Sequence, residues 1–424
     1  MRVGVVGMGP AGLRTAMLLE RAGLEPVLFE ARSRPGGRLY TVREDGLAYD
    51  AGGEWIDADH VRVLGLLEEL KLPIRPSGSW PRDVFHQGRH CTEATLWSDA
   101  LEDDLRIEAA ARELCRDLDP LPWRNKHRRD LDDRTLAEFL LGTATSARGL
   151  WWRTAQVRSE EGEEPDRIGL LGWLCGYLHY LDRDDDVMSA YRVEGGMSNL
   201  YEGMADTLKA PIRYNHALRR VEQDPSGVTL AFDDDRVRVD EVVLTLPPRA
   251  LERIVFNPAL PSAARCAVEA CGMSRIIKIC LEFSEAWWQG MGSRGSIHTD
   301  GPLQQLWDGT QGDRPVLTAY VCGNDAEAWL KSPAIVRKAY EELAQLCPDA
   351  RGLLVDGSVH DWVNDEFALG GFSHLPPGYV LEHMEHTRTP FQRIHFAGEH
   401  TSTWTGFIEG ALESAERVVS EMAE

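Results

Sequence analysis

The chain has 424 residues, 43% of them hydrophobic, and a formal charge of −22. That length exceeds what one hydrophobic core ordinarily accommodates, so two domains are expected. The acidity argues against a nucleic-acid surface or an anionic membrane as partner, and no run of about 18 apolar residues is present to span a bilayer.

Val3 to Val6 reads as a short buried strand, followed by Gly7-Met8-Gly9-Pro10-Ala11-Gly12, a G-x-G-x-x-G turn. Leu13 to Ala22 reads as a helix and Glu25 to Phe29 as a second strand ending in Glu30. This is the pattern of a βαβ unit that holds a dinucleotide. Gly7 permits the turn, Gly9 lets backbone approach a pyrophosphate, and Gly12 lets helix and strand pack. The helix N-terminus offers free N–H groups and a positive dipole end. An acid closing the second strand suits a free ribose hydroxyl, which favours FAD or NAD over NADP.

Arg32-Ser33-Arg34-Pro35-Gly36-Gly37-Arg38 follows as a basic loop suited to phosphate oxygens. Tyr49 to Asp57 carries a second glycine doublet, Gly52-Gly53, against which a flat ring system can lie. From about Pro73 the character changes. Val84 to Thr92 reads as a hairpin; Leu105 to Leu118, Leu136 to Leu141, Ala144 to Val157 and Ile168 to Tyr180 read as helices. Their aromatics, Trp151, Trp152, Trp173, Tyr177 and Tyr180, are read first as core. Asp182 to Asp186 reads as a solvated turn.

Ser198 is the expected N-cap of the next helix. Ile212 to Val221, Val228 to Phe232 and Val242 to Leu246 read as strands, the last stopped by Pro247-Pro248. Ser274 to Phe283 is a strand carrying Lys278 in an apolar run, which by alternation alone reads as a solvent-facing lysine. Arg337 to Leu346 is a helix and Arg393 to Ala397 the final strand. A last helix starts near Gly406. Eight cysteines, with no C-x-x-C pair and no metal-ligand spacing, suggest buried thiols, a reducing cytoplasm and no metal.

Six motifs in order resemble the flavin-containing amine oxidases. They are Gly7 to Gly12 with Glu30, Gly36-Gly37-Arg38, Gly52-Gly53-Glu54-Trp55, Gly195-Gly196-Met197, Ile277-Lys278, and Phe396-Ala397-Gly398-Glu399 through Gly406 to Ala411 with Glu413 to Arg417. The resemblance implies an α/β fold with a Rossmann-type FAD-binding domain (1–74, 192–255 and 384–424). A discontinuous α+β substrate domain would take up 75–191 and 256–383. It implies that Gly7, Gly9, Gly12 and Glu30 hold the AMP half of FAD, with Arg38 by the pyrophosphate and Val221 meeting adenine through its backbone. Gly53, Glu54 and Trp55 would lie by the isoalloxazine, Glu399 by the ribityl or diphosphate, and Phe407 and Ile408 by the pyrimidine edge. Pro10, Ala11, Ala31, Arg32, Gly37, Gly52, Trp362 and Gly398 join the expected cofactor contacts.

Lys278 matches the lysine that in this family holds a water beneath flavin N5. That makes Lys278 and Phe407 the expected catalytic residues and reverses the solvent-facing reading. Phe372 and Ser373 stand where some members attach flavin through cysteine, so the FAD is expected to be noncovalent. Ser373 also occupies the place of an aromatic cage wall. The implied reaction is oxidation of a small-molecule amine, with dioxygen as acceptor and hydrogen peroxide as product. An L-amino-acid oxidase using Arg153 or Arg192 is the alternative; a desaturase-like or catalytically silent flavoprotein is more remote.

Overall fold

The computed structural model describes residues 1–78, 81–91, 93–181 and 188–423. Thr92 and the expected turn at Asp182 to Asp186 lie outside them.

The first strand is Arg2–Val6, its last four residues buried. It pairs in parallel with Glu25–Phe29 on one side and Glu241–Leu244 on the other. Ile212–Arg213 and Ile394–Phe396 complete a five-stranded, all-parallel sheet. Near-continuous apolar strands are what a parallel sheet requires, because helices cover its faces. The helix Pro10–Arg21 and the last helix, Ile408–Ala423, pack together on one such face, closing a core with Met8, Leu13, Leu19 and Leu412. Pro10 at the first helical position sets the start three residues earlier than periodicity alone placed it.

A seven-stranded mixed sheet forms the second layer of architecture. Its order is Leu354–Asp361, Ile276–Phe283, Val316–Cys322, Gln305–Asp308, Ile297–Thr299, Asp83–His86 and Arg89–Cys91. The central strand, Ile276–Phe283, is buried at every residue. The strands of the parallel sheet all fall in 1–74, 192–255 and 384–424, and those of the seven-stranded sheet in 75–191 and 256–383. A helical block lies over the mixed sheet, including Glu93–Cys115, Leu136–Thr143, Ala147–Glu161 and Leu170–Tyr177.

Two local readings change. Ile212 to Val221 is not one strand: Ile212–Arg213 joins the parallel sheet, while Arg220–Asp224 belongs to a separate four-stranded sheet. Ser198 opens its helix rather than capping it. Its hydroxyl instead accepts from the Thr41 amide and pairs with Tyr201.

No helix of the described residues is long and apolar enough to cross a membrane. All eight cysteines are free thiols, most of them buried.

Arg275, at the entry to the central strand, is locked to Glu163 through two hydrogen bonds and reaches Glu327 at 2.9 Å. Glu163 is 1% exposed, so the pair ties the helical block to the sheet through a desolvated charge. Removing one partner strands the other. Arg275→Met should therefore cost about 3–5 kcal/mol of unfolding free energy. The double variant Arg275→Met/Glu163→Leu should recover a measurable part of it in denaturant titrations; a loss below about 1 kcal/mol would show that the pair is not a structural tie.

Candidate active site

One cavity of about 1750 Å³ runs from the parallel sheet to the mixed sheet. Of the residues expected at the site, Gly7, Gly9, Pro10, Ala11, Glu30, Ala31, Arg32, Gly37, Arg38, Gly52, Gly53, Glu54, Trp55, Lys278, Trp362, Gly398, Glu399, Phe407 and Ile408 all line it. Gly12 and Val221 do not. Gly12 is a packing residue: a Cβ there would come within 1.8 Å of the Gly7 carbonyl oxygen. Val221 is wholly buried in a hydrophobic cluster and paired in its sheet with Leu230 and Phe256. The wall at that end is the segment before the strand, His216-Ala217-Leu218-Arg219. The resemblance placed this contact at Val221, but the chain reaches the cavity before it enters the strand Arg220–Asp224.

The dinucleotide end has the features an extended anionic cofactor needs. A Cβ on Gly9 would meet nothing within 4 Å, and one on Gly37 would meet only Gly9, at 3.4 Å. Two backbones thus face each other across open space. Among the described residues no protein acceptor takes the amide hydrogens of Gly9, Ala11 or Gly12, so the helix start presents donors to phosphate oxygens. Glu30 joins the two loops: its carboxylate accepts from the Met8 amide at 2.7 Å and the Arg32 amide at 2.9 Å. Burial raises its pKa, and those bonds to the charged form oppose the rise.

The arginines of the basic loop divide their work. Arg34 staples the loop to the carbonyls of Pro35, Gly37 and Leu39. Arg32 pairs with Asp365. Arg38 uses one nitrogen on Glu399 (2.8 Å) and the Gly371 carbonyl (3.1 Å), and its remaining N–H groups take no protein acceptor among the described residues. Glu399 is in turn bound by Ser373 and the Gly406 amide, and its pKa falls below the usual value. Burial opposes that shift, but the Arg38 charge and these bonds outweigh it. These residues fit FAD: free N–H groups and a guanidinium for the diphosphate, open backbone for close approach, and an acid at the ribose end.

The far end of the cavity is floored by the mixed sheet, where Lys278, Tyr320, Gln305 and Trp307 stand on one face of three adjacent strands. Strand alternation does not send Lys278 to solvent, because both faces of this central strand are covered. The residue is 4% exposed. Its ammonium donates to the carbonyls of Asp50 (2.9 Å) and Gly52 (2.8 Å) and to Glu54 Oε2 (2.9 Å). Three donors meet three protein acceptors, so the water-holding role implied by the family resemblance requires one of these bonds to be exchanged. Burial pulls the Lys278 pKa down to about 8, while the touching Glu54 carboxylate works in the opposite sense.

Glu54 also binds Arg192 and accepts from Trp307 Nε1 at 3.2 Å. Arg192 lies over the Trp55 ring and donates to the Asp308 carbonyl at 2.9 Å. Sequence alone had no signal for this cluster, whose members are brought together by three separate segments.

The aromatic surround also departs from expectation. Ser373 is turned inward to Glu399 and does not line the cavity; the neighbouring ring, Phe372, does, alongside Gly406. Trp404 stands edge-on to Phe407 at 6.0 Å and stacks on His179 at 4.0 Å. Trp173, Tyr177 and Tyr180 line the cavity as well as packing. Arg153 is held by Asp104 (3.6 Å) and Gln156 (3.2 Å). Glu160 and Glu161 line the same end, and burial with the neighbouring acid pushes Glu161 up to about 7.

A parallel nucleotide-binding sheet opening into an aromatic-lined chamber with a buried lysine defines a flavoprotein oxidoreductase. The chain belongs to the flavin-containing amine oxidoreductase family, whose model matches residues 10–423. AofH of Mycobacterium tuberculosis, which carries the name of a flavin-containing monoamine oxidase, is 30% identical over 99% of this chain and 96% of its own length. Human flavin-containing amine oxidase B is 26% identical over 99% and 85%. Cyclohexylamine oxidase from Brevibacterium oxydans superposes with a TM-score of 0.89 at 25% identity, covering 100% of this chain and 99% of that one. Putrescine oxidase, at 24% identity, shares the fold with the same TM-score. The protein is an FAD-dependent enzyme acting on amines.

Glu30→Ala removes the acid that orders two cofactor loops. It should weaken FAD binding by about 1.5–3 kcal/mol, with the fold retained at excess FAD. Titration of apoprotein with FAD reads the change, and an unaltered dissociation constant would remove Glu30 from the site.

Proposed function

We propose that this enzyme oxidises a small amine that bears no carboxylate, giving an imine that hydrolyses and, with dioxygen, hydrogen peroxide. The observation that carries this reading is the state of the cations around Lys278. Arg192 is engaged by Glu54 and a carbonyl, Arg153 by Asp104 and Gln156, and Lys278 by three acceptors. A substrate carboxylate entering here would displace one of these anions and would meet Glu160 and Glu161 as well. The L-amino-acid alternative needs a free guanidinium at this end, and neither arginine proposed for it is free.

When bound, FAD supplies the acceptor for a hydride from the amine-bearing carbon. The chain supplies the rest. Phe407, Phe372 and Trp404 give apolar walls that exclude water and orient the neutral amine. The start of the last helix, Ile408–Ala423, brings its positive dipole end to the cavity, where negative charge develops on reduction. Lys278 fixes a positive charge beneath the reacting region. The cofactor is held noncovalently, since Phe372 and Ser373 offer no thiol. Residues 1–74, 192–255 and 384–424 are read as its domain. The eight free thiols suit a reducing cytoplasm.

Peroxide release across a panel of aliphatic, aromatic and diamine substrates and L-amino acids tests the reading. Turnover of one or more amines is expected, with kcat/KM for every amino acid at least about 100-fold lower, roughly 2.7 kcal/mol of transition-state binding. An amino acid as best substrate overturns it.

Lys278→Met keeps the stem and removes the charge. Reoxidation by dioxygen should slow about tenfold, equivalent to roughly 1.4 kcal/mol of barrier, with FAD still bound. Stopped-flow traces of bleaching and recovery separate the half-reactions; unchanged rates in both would remove Lys278 from the mechanism.

A further inference from the structure

Glu54 is 3% exposed and is the only carboxylate in contact with Lys278 among the described residues. It lies between two buried cations, Lys278 and Arg192, and its remaining capacity is taken by Trp307 Nε1. Of the groups in direct contact, two are positive and one is negative, so Glu54 is shared between two cations. Like charges this close disfavour one another's ionised forms unless an anion sits between them.

Among the described residues, no other group facing Lys278 supplies an anion in contact with it. Asp50 offers Lys278 its carbonyl; its carboxylate, held by Thr41, the Met197 amide and Gln311, adds a more distant negative charge that favours the charged forms of both Lys278 and Arg192. On the same strand, burial pushes Cys280 up to about 11. From the strand Leu354–Asp361, burial pulls His360 down to about 4, so it is neutral, and it shares Tyr49 with Ser358. Tyr320 stands opposite on the strand Val316–Cys322, its phenol raised by burial and neutral. Asp308 gives Arg192 a carbonyl contact and, from further away, a negative charge that favours its charged form.

We propose that Glu54 is a positioning residue that keeps Lys278 charged beside Arg192 and so sets the pH range over which the enzyme returns its electrons to dioxygen. This rests on Lys278 being the working charge of the reading above. Glu54 needs no contact with substrate for the role. It acts through Lys278, and Arg192 competes for it.

Two variants move the system in opposite directions. Glu54→Gln removes the anion and leaves two buried cations facing each other, so Lys278 loses its proton more easily. Arg192→Gln removes the competing cation and gives Glu54 to Lys278 alone. Reoxidation rates measured from pH 6 to 10 should fall off above the pH at which Lys278 deprotonates. That limb should move down by at least one pH unit in Glu54→Gln and up by at least half a unit in Arg192→Gln. Lys278→Met should show no such limb.

A second readout uses the apoprotein and no turnover. A lysine whose folded pKa lies below its unfolded value of about 10.4 is deprotonated first in the folded state. The unfolded chain then binds more protons, so stability rises with pH between the two values. Melting curves, each taken as the difference from Lys278→Met, should show this rise beginning at lower pH in Glu54→Gln than in the wild type. The melting arm decides the matter if Glu54→Gln binds FAD poorly or no amine in the panel is turned over. Rates that drop equally at all pH values, or a melting difference that begins at the same pH in wild type and Glu54→Gln, overturn the proposal.

Discussion

A lysine ammonium taken out of water must find acceptors, and those of Lys278 all come from one distant stretch of chain. The lysine stands on the central strand of the mixed sheet; Asp50, Gly52 and Glu54 belong to the glycine-doublet segment beside the nucleotide fold. Satisfying one buried charge therefore fixes the mixed sheet against the cofactor-binding segment. Trp362 repeats the tie from the same sheet side, donating to the Ala51 carbonyl at 2.8 Å. The cavity is the space left once these contacts are made, and its floor inherits their geometry.

The two ends of that cavity obey different electrostatics. At the dinucleotide end, donors are left over: helix-start amides, and the open side of the Arg38 guanidinium. At the Lys278 end Lys278, Arg192 and Arg153 are each engaged by a carboxylate of the chain, and the acids Glu160 and Glu161 line the cavity as well. One chamber thus accepts a polyanionic cofactor at one end and disfavours an anionic substrate at the other. The separation follows from which arginines meet a carboxylate within the chain and which do not.

Much of the nucleotide half was legible because its determinants are local. The strand, glycine turn, helix and closing acid lie within Arg2 to Glu30, and each constrains its neighbour: Gly12 must be glycine because its helix turn touches the Gly7 carbonyl. Family resemblance placed Arg38 and Glu399 separately near the diphosphate; that they pair with each other is a finding of the structure. The misreadings have physical causes. Family resemblance points to Val221 beside adenine, but it does not say where the chain leaves one sheet for another, and the cavity wall falls at His216 to Arg219 instead. Ser198 had the chemistry of a cap, but its hydroxyl accepts from the distant Thr41 amide and pairs with Tyr201 one turn along its own helix.

The sequence by itself determined the dinucleotide turn, the family, and the fact that a lysine sits in an apolar strand. Family resemblance set aside a solvent-facing Lys278, but tertiary structure alone decided what that lysine touches. Strand periodicity is the same for a solvent-facing and a cavity-facing residue; only a second layer covering the face distinguishes them. The cluster of Lys278, Glu54 and Arg192 is likewise absent from any local pattern, because positions 54, 192 and 278 meet only when three segments fold onto one another. Whether a charge is free for substrate depends on what lies within a few ångströms of it, and that is a property of packing.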